Sequence, residues 1–356
     1  MSITAWFQPY QLIFKRSAGT SRGILHTKET FFLVLEEEGN FGIGECALFR
    51  GLSADDRPDY EEKLNWLCRH IHLSKETLLE SLREFPSIQF GLEQAFLSLS
   101  SEDTFLLFPS AFTQGNKGIP INGLIWMGDK DYMLAQIIEK IKEGFSTIKL
   151  KIGAIDFQTE LDLLHFIRDH FSEKEITLRV DANGAFSPQN ALKKLDQLAA
   201  FGIHSIEQPI AAKQWNNMRE LCKHSPIPIA LDEELIGIFK EQDKRELLES
   251  IHPQYIILKP SLVGGIAGSI EWIELAESMK IPFWITSALE SNIGLNAISQ
   301  FTYTLHSHLP QGLGTGGLFT NNISSPLFVE KGQLLYLPNN EKHHWPKDLL
   351  TEIKKN

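Results

Sequence analysis

The sequence has few cysteines and no long apolar run. Its three cysteines, Cys46, Cys68 and Cys222, are widely spaced and odd in number, which fits neither a metal-binding knuckle nor a disulfide framework. No stretch approaches the roughly 20 apolar residues that a membrane-spanning helix requires. The first residues, MSITAWFQPYQLIFKR, lack the cationic start and apolar run of a secretory signal. We therefore expect a soluble, cytoplasmic protein that does not insert into membranes.

A basic block is also absent. The net charge is −11, and no run of like charge is long enough to form a tail, which makes nucleic acid an unexpected partner. The seven tryptophans are scattered and form no series on which bases could stack. With 356 residues, of which 42% are hydrophobic, the chain is long enough for one barrel-sized domain and a smaller one. The number of subunits stays open.

Residues 1–118 have the pattern of an α+β unit. The β-favouring run at 30–38 is followed by a turn at Gly39 and Asn40 and then by FGIGECAL, which predicts a hairpin. From Tyr60 to about Ser100, apolar residues recur at helical spacing.

A different rhythm begins at residue 119. Apolar, β-rich runs alternate with amphipathic segments, and the runs are INGLIW, TIKLKIG, TLRVDAN, SIEQP, PIALDE, YIILKPS and PFWITSA. Strand–helix alternation implies parallel pairing, and seven or eight such units imply a closed (β/α) barrel over residues 119–311. No glycine-rich phosphate loop follows the first strand, which weighs against a dinucleotide-binding fold. Residues 312–356 contain a loop and a strand–turn–strand, which we expect to pack back on the N-terminal unit.

Charged residues stand at the carboxyl ends of successive predicted strands, the end that carries function in such barrels. Lys149 and Lys151 are two apart on one strand and therefore point to the same side of it. Since Ile148, Leu150 and Ile152 form the outward apolar set, both lysines are predicted to face the barrel interior. Buried ammonium groups require anionic partners.

The following strands supply those anions. Asp181, Glu207 and Asp232 stand at three consecutive strand ends. Carboxylates about 4 Å apart repel by about 4 kcal/mol per pair at an effective dielectric constant near 20, and a divalent cation removes this cost. Ligands that are all oxygen suit Mg²⁺, and Mn²⁺ would also fit. Lys259 ends the sixth strand, across the barrel from the second.

Each of these residues alone has an ordinary explanation. A lysine at a strand end is usually a solvated surface residue, and Asp181 before Ala-Asn-Gly is usual turn chemistry. The order Lys, Asp, Glu, Asp, Lys on five successive strand ends is what predicts a site. A carboxylate bound there would lie between Lys151 and Lys259, and loss of its α-proton would create negative charge beside the cation. A barrel that binds a metal and a carboxylate without catalysing a reaction is the alternative from another class.

The segments TIKLKIG, RVDANGAFS, IEQPI, ALDEEL and ILKPSLVGG resemble the enolase superfamily, and within it the muconate-lactonizing branch. The resemblance covers the whole chain. It implies a (β/α)7β barrel, similar to the TIM barrel, with an N-terminal α+β capping domain that the C-terminal segment completes. It also implies that Lys151 is the base, that Lys259 stabilises the anion and that Asp181, Glu207 and Asp232 hold Mg²⁺. Lys149, Asn183 and Glu233 would support them.

Four further segments, RGILHTKET, GECALFRGLSADD, TSALESNIGL and GLGTGGLF, resemble the o-succinylbenzoate synthase family of menaquinone biosynthesis. That resemblance implies a lyase that removes water from a small-molecule carboxylate, a cyclohexadiene carboxylate, to give 2-succinylbenzoate. It places two further segments at the pocket, Gly51 to Ser53 and Ser287 to Ser291, and within them it implies Ser53, Ser287, Glu290 and Ser291 as supporting or substrate-binding residues.

Related reactions differ at the last strands. Dipeptide epimerases of this branch have a D-x-D pattern on the eighth strand, where this sequence reads HLPQGLGTGG. Enzymes of the mandelate-racemase type have a histidine after the seventh strand, where Ser287 and Ala288 stand here. N-acylamino-acid racemases use the same two lysines, so the sequence leaves that activity open.

Overall fold

The computed structural model describes residues 3–20, 23–346 and 348–354. Its N-terminal unit is an antiparallel sheet with strand order β1-β2-β3, against which three helices pack. The strands are β1 (Thr4–Thr20), β2 (Gly23–Glu37) and β3 (Asn40–Cys46), and the helices are α1 (Tyr60–His70), α2 (Lys75–Ser81) and α3 (Pro86–Leu99). The predicted hairpin is β2–β3, and the predicted helical stretch divides into three.

Helix α3 lies unusually close to β3. A Cβ atom built on Gly44 would lie 1.9 Å from the carbonyl oxygen of Gly91, so only glycine allows this approach. Glu45 follows Gly44 on β3, beside this close contact between strand and helix, and its side chain is fully buried.

The second unit is a barrel of parallel strands, as predicted. Its sheet has the order β11-β10-β9-β8-β7-β6-β5, and every pair is parallel. The strands are β5 (Gly123–Ile125), β6 (Thr147–Lys151), β7 (Thr177–Asp181), β8 (Ile203–Glu207), β9 (Ile229–Leu231), β10 (Tyr255–Leu258) and β11 (Phe283–Ile285), and β4 (Ile119–Pro120) precedes them. The helices are α4 (Lys130–Lys142), α5 (Phe157–His170), α6 (Pro188–Ala199), α7 (Trp215–His224), α8 (Glu241–Ile251), α9 (Pro260–Val263), α10 (Gly265–Ser278) and α11 (Asn292–Thr304).

An eighth segment closes the barrel. Gln311 forms a parallel bridge with Ile121, just before β5, and Gly312 forms one with Thr286, just after β11. A Cβ atom on Gly312 would lie 2.3 Å from Thr286 Oγ1, so glycine permits this closure. The fold is the predicted (β/α)7β barrel with a separate N-terminal domain.

The C-terminal segment touches both units. Its hairpin, β12 (Leu327–Glu330) and β13 (Gln333–Tyr336), pairs with β4. Ahead of it, the Leu318 carbonyl accepts a hydrogen bond from Lys15 N–H in β1, and the last helix is α12 (Leu349–Lys354). In the described part of the chain, no helix is both long enough and apolar enough to cross a membrane.

A buried carboxylate joins α3 to the barrel and leads to a pH prediction. The Glu93 carboxylate accepts hydrogen bonds from Ile266 N–H (2.6 Å) and Ala267 N–H (2.9 Å) in the first turn of α10. Burial nevertheless raises the pKa of Glu93 to about 7, from 4.5. Between these two values the folded state binds more protons than the unfolded state. The free energy of unfolding therefore falls as the pH rises from 4.5 to 7, by about 3 kcal/mol for this group.

Glu93→Gln has no such titration. We expect its pH profile of stability, from urea titrations across this range, to be flatter than that of the unaltered protein. Parallel profiles would contradict the assignment.

Candidate active site

The three predicted acids lie together at the carboxyl ends of adjacent strands. Asp181 ends β7 and pairs in register with Glu207, which ends β8. Asp232 directly follows β9. All three are at most 3% exposed, because they point into the barrel rather than towards the helices around it.

Lysine side chains from both neighbouring walls reach these acids. Lys149 Nζ lies 2.9 Å from an Asp181 carboxylate oxygen and 2.5 Å from Glu207 Oε2. Lys259, which follows β10, forms an ion pair with Asp232. The alternation expected for β6 is therefore present, because Lys149 is buried in the barrel interior while Ile148 and Leu150 are buried on the other side of the strand.

Lys151 makes two contacts of its own. Its Nζ donates to Asp181 Oδ2 at 3.0 Å and to Asn183 Oδ1 at 2.7 Å. Asn183 in turn donates from Nδ2 to Glu233 Oε1 at 3.0 Å. The three side chains form a chain of hydrogen bonds that orients the Lys151 ammonium group.

Burial and the opposing charges shift the pKa values strongly. Burial would lower the pKa of Lys149, but Asp181 and Glu207 outweigh it and raise the pKa above its usual value. Burial would likewise raise the pKa of Asp181, but Lys149 and Lys151 hold that pKa far below its usual range. The pKa of Glu207 is raised, first by burial and then by the Asp181 carboxylate.

The donor set fits a divalent metal ion. Glu207 Oε1 is buried and, among the described residues, has no hydrogen-bond partner, and a buried acceptor of this kind is costly unless something binds it. Three carboxylates with no sulfur or imidazole nearby suit Mg²⁺ or Mn²⁺. Within the described ranges, no group of three or more acidic, histidine or cysteine side chains is arranged as it stands to hold a metal ion. Lysine ammonium groups provide the counter-charge instead.

A cavity of about 990 Å³ opens above these residues. Its polar floor includes Lys149, Lys151, Asp181, Asn183, Glu233 and Lys259, and its walls include Phe49 and Leu52 of the N-terminal domain, Trp126, Ser287, Ala288, Leu289 and the glycine-rich segment from Gly314 to Gly317. The lining also includes charged side chains away from the floor, among them Lys15, Arg16, Glu139 and Lys331. A concave site that combines apolar walls with convergent polar groups is typical of small-molecule binding.

The other predicted pocket residues divide into two groups. Ser287 lines the cavity and hydrogen-bonds Thr315 Oγ1 at 2.7 Å. Ser53 lines a smaller neighbouring cavity, and its hydroxyl accepts a hydrogen bond from Phe49 N–H. Glu290 and Ser291, by contrast, are fully buried. Their side chains bond to protein groups beneath the loop and do not line the cavity.

Sequence reasoning missed Trp126 and Phe49. Trp126 had a signal, because it is two residues after Leu124, which pairs with the inward-facing Lys149. Phe49 had none, since it is in a loop whose direction depends on the rest of the fold.

The fold and the arrangement of charges define the class of protein: this chain is a barrel enzyme of the enolase superfamily type. It belongs to the enolase C-terminal domain-like family, whose sequence profile matches residues 132–338.

Three comparisons describe its relatives. The chain is 48% identical to the o-succinylbenzoate synthase of Desulfotalea psychrophila over 354 residues, which covers 91% of this chain and 96% of that protein. The crystal structure of MenC from the same organism superposes with a TM-score of 0.84 at 42% identity, over 94% of this chain and all of that one. A dipeptide epimerase from Cytophaga hutchinsonii, complexed with Mg and D-Ala-L-Val, shares the fold at 21% identity, with a TM-score of 0.82 over 99% of this chain and 98% of that one.

Proposed function

We propose that this chain is a metal-dependent o-succinylbenzoate synthase, which acts in the cytoplasm on a small-molecule cyclohexadiene carboxylate and removes water from it. The observation that carries the proposal is the placement of Lys151 and Lys259. Their strands are four apart in the sheet order, which puts them on opposite walls of an eight-membered barrel, and both side chains line one cavity. The 48% identical relative carries the same activity in its name.

Lys151 is the proposed base. Its hydrogen bonds to Asp181 and Asn183 hold its nitrogen in one place, which is what proton abstraction from carbon requires. Removing the α-proton leaves an enediolate anion, whose negative charge lies on the two oxygens of the carboxylate that the ring carries. The departing hydroxide takes up a proton, which Lys151 has just accepted, and leaves as water. The ring is then aromatic.

Lys259 is proposed to stabilise the anion from the opposite wall. Burial would lower the pKa of Lys259, but the charges of Asp232 and Glu207 outweigh it and raise that pKa, which favours the ammonium form. A permanently charged ammonium group over a forming anion provides electrostatic stabilisation without taking part in proton transfer. Lys149 Nζ pairs with both Asp181 and Glu207, whereas Lys151 pairs with Asp181 alone, so the role of base is assigned to Lys151.

Asp181, Glu207 and Asp232 would hold Mg²⁺, and the bound ion would stabilise the negative charge that develops on the substrate carboxylate. Glu207 is the ligand with an oxygen still to be satisfied among the described residues. Lys149 would remain as the cation that keeps Asp181 ionised.

The eighth segment favours this reaction over dipeptide epimerisation. A dipeptide carries an ammonium group that requires carboxylate partners. The wall that residues 312–317 provide is Gly-Leu-Gly-Thr-Gly-Gly, which has no charged side chain to offer. A neutral wall suits a carbocyclic acid.

The direct test is anaerobic incubation of the protein with the cyclohexadiene substrate and Mg²⁺, followed in the ultraviolet for the aromatic product. We expect turnover with Mg²⁺ or Mn²⁺ and none after chelation. N-succinylamino acids and dipeptides, followed by polarimetry, serve as the comparison set. Rapid racemisation of either, without formation of the aromatic product, would contradict the proposal.

A further inference from the structure

The cavity wall after β11 is held in a strained conformation. Leu289 lines the cavity with φ at +62°, the left-handed region that a branched side chain rarely adopts. Such a conformation is unfavourable and persists only when surrounding groups enforce it. Buried carboxylates near Leu289 are such groups.

Glu290 is the first of them. Its Oε2 accepts a hydrogen bond from Ala288 N–H at 2.7 Å, which closes the loop around Leu289. Its Oε1 accepts one from Ser261 Oγ at 2.5 Å. Ser261 is two residues after Lys259, so one fully buried carboxylate joins the cavity wall to the segment that carries this lysine.

Glu45 of the N-terminal domain is the second. Its Oε1 accepts from Ser291 N–H at 3.0 Å, and its Oε2 accepts from Ser291 Oγ at 2.5 Å and Gly294 N–H at 2.9 Å. A fourth bond comes from Thr30 Oγ1, in β2, at 2.8 Å. The carboxylate therefore holds the first turn of α11, where backbone N–H groups lack intrahelical partners.

Lys28 is two residues before Thr30 on β2, so its side chain faces the same side of the sheet as the Thr30–Glu45 hydrogen bond. It is 6% exposed. Burial lowers the pKa of Lys28, and the charges of Glu45, Glu290 and Glu29, in that order, oppose this effect. Its Nζ has no hydrogen-bond partner among the described residues, so its interaction with Glu45 and Glu290 is one of charge. Removing Lys28 would leave two buried carboxylates uncompensated, which is strongly unfavourable.

We infer that Lys28, Glu45 and Glu290 are positioning residues through which the N-terminal domain sets the Ser287–Leu289 wall against the substrate. The inference rests on the proposed function. None of the three side chains lines the cavity. They act through Leu289, whose conformation they enforce, and the wall contacts the substrate in the ground state and the transition state alike. Loss of the network should therefore weaken binding of the ground state and of the transition state by the same amount, which raises KM and leaves kcat unchanged.

Glu290→Gln tests this with little change of shape. We expect KM for the cyclohexadiene substrate to rise by about 10- to 100-fold, while kcat stays within about twofold. The dissociation constant of 2-succinylbenzoate, measured by calorimetry, should rise in parallel. Mg²⁺ affinity should not change, because Glu290 is not among the acids at the strand ends. Glu45→Gln should do the same.

Glu93→Gln is the matched control. Glu93 is also a buried carboxylate of the N-terminal domain that bonds the first turn of a barrel helix, but it touches no residue of the cavity wall. Its KM and kcat should equal those of the unaltered protein. If Glu290→Gln and Glu45→Gln lower only the melting temperature and the active fraction, with KM unchanged, the network is structural and the inference is wrong.

The pair Lys28→Met and Glu290→Gln gives a second measurement. Lys28 and Glu290 carry opposite charges. The loss of binding free energy in the double variant should therefore be smaller than the sum of the losses in the two single variants. Strict additivity would contradict the charge coupling. Absence of turnover by the unaltered protein would contradict the proposed function itself, whereas turnover with an unchanged KM in the variants would contradict this inference alone.

Discussion

Lys151→Ala is expected to lower kcat by at least about 1000-fold while Mg²⁺ still binds. A positioned base contributes roughly 100- to 10,000-fold to the rate of a proton transfer. Lys151 lines the cavity, where its hydrogen bonds to Asp181 and Asn183 hold it in place. The metal should still bind, because Asp181 keeps Lys149 as its counter-ion. Stopped-flow turnover and calorimetric Mg²⁺ titration measure the two quantities.

Two variants separate the possible causes of that loss. Lys151→Arg keeps a positive charge beside Asp181 but cannot give up its proton, so it should be as inactive as Lys151→Ala. Lys130→Ala removes an exposed ion pair with Asp162 and should leave kcat unchanged, since surface ion pairs contribute about 0–1 kcal/mol. Near-normal kcat in Lys151→Ala would show that another group is the base.

Glu207→Gln is expected to weaken Mg²⁺ binding by at least about 100-fold, because changes outside the ligand shell alone cost roughly 10- to 100-fold. The substitution removes one of three negative charges and the acceptor that lacks a partner among the described residues. Turnover should fall with it and should recover only in part at high Mg²⁺. Calorimetry measures the affinity directly, without reference to activity.

The folded state should survive this change, because Lys149 keeps Asp181 as an ion-pair partner. Circular dichroism spectra of Glu207→Gln and of the unaltered protein should therefore agree. Glu93→Gln, a buried acid outside the site, should bind Mg²⁺ normally. An unchanged Mg²⁺ affinity in Glu207→Gln would remove Glu207 from the set of proposed ligands.

The barrel was predictable because its signals are local. Alternating residues on a strand face opposite sides, so Lys149 and Lys151 could be assigned to the interior from Ile148 and Leu150 alone. The carboxyl ends of parallel strands meet at one edge of the sheet, so Asp181, Glu207 and Asp232 could be expected together. The structure has them at adjacent strand ends, with Asp181 and Glu207 paired in register.

Loop residues were less predictable. Ser287, Glu290 and Ser291 are within five residues of one another, yet only Ser287 lines the cavity. Leu289 has a left-handed backbone conformation, and no periodicity in the sequence indicates that reversal. Ser53 has its hydroxyl turned to its own loop, where it accepts a bond from Phe49 N–H.

The sequence by itself determined the architecture and the row of three acids and two lysines, because both depend on spacing along single strands and on the shared edge of a parallel sheet. Only the tertiary structure decided which acids meet lysines in the cavity and which join the two domains. Glu45 and Ser291 are 246 residues apart in sequence and bond directly across the boundary between the two units. Contacts at such separations depend on how the two cores dock, and no local pattern of residues encodes that docking.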